Sequence, residues 1–179
     1  MQSRLPRRVS KKAVAVHEAA HVVVHACLRP GAPLGPVWLK AKRGSWIGRT
    51  EFHNAFQGLD ERSTATLDEA RRELVITLAG PVAEARWRGA ASALADHWQR
   101  ALDATATPHG ASDEVTGLGV SQWLALPVIA AHFEQSWREA ESLVDRHWQT
   151  IVELGSLLKD RERIEGAELA ELTGHLITG

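Results

Sequence analysis

The stretch Ala13-Val14-Ala15-Val16-His17-Glu18-Ala19-Ala20-His21-Val22-Val23-Val24-His25-Ala26-Cys27-Leu28 decides how this chain is read. It is an almost unbroken apolar segment with three histidines four residues apart and one glutamate. Ser10 suits an N-cap, and Arg29-Pro30-Gly31-Ala32-Pro33 suits a stop, so the spacing predicts a helix from about residue 11 to Leu28. On such a helix four residues turn the chain through about 400° and raise it by about 6 Å. His17 and His21 therefore project from one face, placed to reach one Zn²⁺ at about 2.0–2.1 Å. Glu18 is rotated by about 100° from His17. Its carboxylate is set to take a proton from a water on the metal and to return it to a leaving amine. HExxH chemistry needs a helix, and the motif lies where a helix is expected. The bland alternative is a pair of partly buried histidines bonded to carbonyls. His25, one turn further, lies too far along the axis to join the pair, and a supporting or packing role suits it better. The extended metzincin pattern wants Gly and His where this chain has Val24 and Cys27, so that class is excluded.

Outward from this helix the chain reads as a single domain over residues 10–179, preceded by a basic tail over residues 1–9. Hydrophobic residues make up 44%, charged residues 24%, and the net charge is -1. That balance excludes a dedicated nucleic-acid binder, which carries a basic excess. One cysteine excludes an internal disulfide and a thiolate-built zinc site. The basic start has no apolar stretch behind it and does not read as a signal peptide. The longest apolar run, Val22-Val23-Val24, falls far short of the roughly 20 residues of a membrane span. A cytoplasmic location follows as an expectation. Seven Trp and three Phe without a Tyr point to buried packing rather than to a function.

Residues 37–40 and 47–52, with a turn at Arg43-Gly44-Ser45, predict a β-hairpin or small antiparallel sheet. Thr66-Leu67-Asp68-Glu69 fits a capping box, with Leu67, Ala70, Leu74 and Leu78 following at helical spacing. Gly80-Pro81 should kink or break that helix, which then resumes to about Gly89. Thr107-Pro108-His109-Gly110 reads as a loop, Ser112 as the cap of a helix ending near Pro127, and Pro127 as the start of a long helix to about Leu154. Residues 164–169 read as a turn and a final short helix. The expected class is mainly α with a small antiparallel β element, an α+β fold.

A catalytic zinc takes three protein ligands and leaves a fourth position to water. Spacing alone leaves the third donor open among Glu69, Glu73, Glu84, Asp113 and Glu114.

Five segments in order resemble the zinc peptidase domain of the FtsH family, proteases normally coupled to an AAA ATPase. They are His17-Glu18-Ala19-Ala20-His21; Lys42-Arg43-Gly44-Ser45-Trp46-Ile47-Gly48; Leu78-Ala79-Gly80-Pro81-Val82-Ala83-Glu84; Gly110-Ala111-Ser112-Asp113-Glu114; and Arg163-Ile164-Glu165-Gly166-Ala167-Glu168-Leu169. The resemblance runs from about residue 10 to 172. It implies a zincin-like fold, zinc as the cofactor, His17 and His21 as ligands, and Glu18 as the base. It also implies a third ligand from the fourth segment. Aligned without a gap, the family aspartate falls on Glu114; a shift of one residue brings Asp113 to the metal. Asp113 is preferred, because the residue type is kept and Ser112-Asp113 suits a helix start. Glu84 then becomes a structural residue. Ala20 replaces the usual glycine and Pro81 the usual arginine, and neither change removes a donor.

The chain has no G-x-x-x-x-G-K-[ST] phosphate loop. The function expected is therefore ATP-independent hydrolysis of peptide bonds in flexible or unfolded polypeptide, with a separate AAA unfoldase as a candidate partner. Residues 47–52 are the candidate edge for an extended substrate, with Gly48 permitting close backbone approach. The alternative is a protease-derived, catalytically idle metal-binding interaction module. Oligomeric state is not legible.

Overall fold

The computed structural model describes residues 10–52, 64–89 and 129–174. Helix α1 (Lys11–Leu28) begins as its sequence dictates, with the Ser10 hydroxyl accepting from Ala13 N–H at 3.2 Å. A cap of that kind is worth about 1 kcal/mol. Residues Val14, Ala15, Val16, Ala19, Ala20, Val22, Val23 and Val24 are buried on all sides of the helix. An apolar surface all round demands cover all round. α1 accordingly sits between helix α2 (Thr64–Trp87), helix α4 (Trp148–Arg161) and the sheet.

Its small residues let the neighbours come close. A side-chain carbon on Gly155 of α4 would lie 3.2 Å from Val16 Cα, so α4 packs nearly backbone to backbone there. Helix α3 (Ile129–Arg146) lies on α2 and contributes Phe133 and Trp137, both fully buried.

The hairpin is present as expected. Strands β1 (Leu34–Lys42) and β2 (Ser45–Phe52) pair antiparallel with Leu39 opposite Gly48 and Lys40 opposite Ile47. Arg43 and Gly44 form the turn, both at positive φ (50° and 77°). That pairing of left-handed residues matches the twist of a tight hairpin. Strand β3 (Arg163–Ile164) adds to the other side of β1, giving the order β2-β1-β3. Helix α5 (Gly166–Thr173) follows and packs on β1. The described residues are thus mainly helical with a three-stranded antiparallel sheet, in line with the α+β class expected.

Three expectations need correction. α2 does not stop at Gly80-Pro81 but carries Pro81 inside a helix that continues to Trp87. Pro81 withholds one N–H and costs about 3 kcal/mol in a helix interior. The turns on either side bury Leu74, Val75, Leu78, Ala79, Val82 and Ala83, and this packing holds the helix together. Thr66 lies within α2, which already includes Thr64, and so is not its cap. The long helix expected to reach Leu154 is two helices. Its backbone leaves helical geometry at His147 (φ -108°, ψ 20°), so α3 follows α2 while α4 turns onto α1. Pro127 and the expected helix from Ser112 lie outside the described residues. Among the described residues no helix is long and apolar enough to cross a membrane.

Candidate metal centre

Even-numbered residues of β2 face α1, because side chains alternate along a strand. Trp46 receives the Lys11 ammonium 4.6 Å from its ring centroid, Gly48 and Thr50 lie on Glu18, and Phe52 stacks on His25. The strand thus tracks the helix from its start to its end, and α2 covers the histidines from the other side.

Each of the first two histidines is held through Nδ1. His21 Nδ1 lies 2.8 Å from the Ile76 carbonyl oxygen, which can only accept, so Nδ1 carries the proton. His17 Nδ1 lies 3.2 Å from Glu84 Oε2 and donates to it in the same way. Glu84 also pairs with Arg88, just past the end of α2. A neutral imidazole protonated at Nδ1 presents its lone pair at Nε2.

The two Nε2 atoms converge. A side-chain carbon built on Gly80 would lie 2.5 Å from both. The rings stand nearly perpendicular, 79° apart, with centroids separated by 4.9 Å. Acceptor-fixed tautomers, convergent Nε2 atoms and a glycine where any side chain would collide form an arrangement that fits a His-ligated divalent ion. Glu84 is therefore placed against the Nδ1 side of His17, and Gly80 against the Nε2 atoms of both rings.

Glu18, 6% exposed, lies against β2, with Thr50 Oγ1 donating to its Oε2 at 2.7 Å. The close approach at Gly48 is made by this side chain: a carbon added there would lie 2.5 Å from Glu18 Cγ.

His25 takes the packing role. Its ring is parallel to Phe52 within 7°, with centroids 4.6 Å apart. Burial first, and the Arg29 guanidinium second, push its pKa down to about 4. Glu69 and Glu73, two of the open donor candidates, are occupied with Arg29: Nη2 contacts Glu73 Oε2 at 2.7 Å and also pairs with Glu69. They tie the end of α1 to α2.

Among the described residues no group of three or more His, Cys, Asp or Glu is gathered that could hold a metal. Asp113 and Glu114, between which the third donor was expected, lie outside the described residues. Sequence reasoning missed Thr50, Gly80 and the Ile76 carbonyl. Strand alternation offered a signal for the first, but no side chain announces a carbonyl acceptor. No family model matches this chain, and no curated protein matches it.

Proposed function

We propose that the chain is a zinc metalloendopeptidase, of the type seen in FtsH-like domains, that hydrolyses peptide bonds in flexible or unfolded polypeptide. The observation that carries this reading is the convergence of His17 and His21 Nε2 above Gly80, with an acidic residue, Glu18, next to the first ligand. His17 and His21 would hold the ion, with Asp113, or Glu114 in its place, as third donor. When bound, zinc acidifies a coordinated water and polarises a carbonyl.

The chain's own residues supply the rest. Glu84 and the Ile76 carbonyl keep both imidazoles in one tautomer and one orientation. Glu18 receives a proton from the attacking water and passes it to the departing amine nitrogen. β2 has one side unpaired among the described residues, and an extended substrate would add there through main-chain hydrogen bonds. Such binding makes little demand on substrate sequence, which suits unfolded polypeptide. A single cysteine suits a reducing, cytoplasmic setting.

The test is zinc content and cleavage of casein by the full chain and by Glu18→Gln. About one zinc per chain is expected in both, as the chemistry of three donors requires. Cleavage should fall by about 10²–10⁴-fold in the variant. Equal cleavage by both proteins would refute Glu18 as the base. Zinc uptake without turnover on any unfolded protein would favour the idle binding module.

A further inference from the structure

β2 meets the Glu18 carboxylate with two residues that treat its two oxygens differently. Thr50 Oγ1 donates to Oε2 at 2.7 Å, and the Glu18 carbonyl oxygen stands 3.4 Å from the same hydroxyl. Oε1 lies beside Gly48, where an added side-chain carbon would come within 2.6 Å of it. One oxygen is gripped by a hydroxyl, and the other faces a residue with no side chain.

From this asymmetry we infer that Thr50 is a positioning residue for the reaction. It holds Oε2 so that the incoming proton is received at Oε1, and Gly48 leaves the room that this placement of the Glu18 side chain needs. The inference rests on the zinc-peptidase reading.

A carboxylate oxygen that already accepts a hydrogen bond is less basic than its twin, so the donated hydroxyl decides which oxygen takes the proton. A hydroxyl on an ionised acceptor makes a short, strong bond, which also restricts rotation of the carboxylate. Threonine suits the task because its branched Cβ restricts χ1, and the hydroxyl is aimed before the carboxylate arrives. Gly48 and Thr50 are two apart on one strand, so the pleat delivers both to the same face. A 1 Å misplacement of a reacting group costs about 10²-fold in rate, so a wandering carboxylate has kinetic consequences.

The experiment compares the full chain with Thr50→Val, which keeps the shape and removes the hydroxyl, and Thr50→Ser, which keeps the hydroxyl. For Thr50→Val, kcat on casein should fall about 10- to 100-fold, with KM and zinc content unchanged. Thr50→Ser should recover most of the rate. The independent readout is the Glu18 carboxyl resonance in zinc-free, ¹³C-glutamate-labelled protein at fixed pH, identified by its loss in Glu18→Gln. That resonance should move in Thr50→Val and return in Thr50→Ser. Parental kcat in Thr50→Val, no recovery in Thr50→Ser, or an unmoved resonance would each overturn the assignment. Should Thr50→Val fold poorly, Thr50→Ser against Thr50→Ala provides the same contrast. A parent chain that binds zinc and cleaves nothing defeats the peptidase reading alone; the resonance then decides separately whether Thr50 holds Glu18.

Discussion

His21 and His25 stand one turn apart on the same face of α1, 6% and 2% exposed. The residue type, the helix and the depth are shared, and the surroundings differ. His21 finds a carbonyl from α2 at Nδ1, which fixes its tautomer and commits Nε2 to the space above Gly80. His25 finds the flat face of Phe52, and its Nδ1 has no partner among the described residues. One ring is held by a directional bond and the other by area. What each ring is free to do is thus decided by the neighbouring elements rather than by the histidine stripe.

The comparison breaks most easily on zinc uptake. His21→Phe should abolish it, whereas His25→Phe should bind one zinc per chain like the parent; equal loss in both would erase the distinction. Next in size is Glu84→Gln, which weakens the acceptor of His17 and should lower zinc affinity about 10- to 100-fold in a competition titration. An affinity matching the parent would mean that His17 needs no orienting partner.

Acid stability sharpens the other half. The His25 pKa is about 4 against an ordinary 6.5, so the folded chain binds fewer protons than the unfolded one between those values. Stability is whole above about pH 6.5 and falls as pH drops towards 4, this group removing roughly 2–3 kcal/mol by pH 4.5. Urea melts at pH 7.5 and 4.5 should show a shallower acid loss for His25→Phe than for the parent. The smallest effect expected is that of His25→Phe at pH 7.5, within about 1 kcal/mol, because the ring and its stacking are kept.

Much of this architecture was legible from the chain. Ser10, the apolar run and Arg29-Pro30-Gly31 delimit α1 within a residue or so, and Arg43-Gly44 marks the hairpin. Where reading failed, a distant contact had overridden a local preference. Pro81 is a helix breaker by its own chemistry, and α2 carries it because the residues around it are buried. The bend at His147 is hidden because Phe133, Trp137, Ala140, Val144, Ile151, Leu154 and Leu158 keep one helical rhythm across it. The motif His17-Glu18-Ala19-Ala20-His21 announces the candidate ligands and base. The atoms that orient them come from α2 and β2, including a main-chain oxygen at Ile76 that no motif encodes.

The pairing of β1 with β3 also bears on how the chain is made. Val37 meets Ile164, Trp38 meets Arg163, and Leu39 N–H donates to the Glu162 carbonyl oxygen at 2.7 Å. During synthesis, the hairpin emerges from the ribosome more than a hundred residues before the strand that seals its inner side. At roughly 5–20 residues per second, that margin stays open for several seconds or longer. Throughout that interval the nascent protein presents a sticky border to its neighbours, which makes premature termination ahead of Glu162 a route to aggregates rather than to a shortened, folded chain.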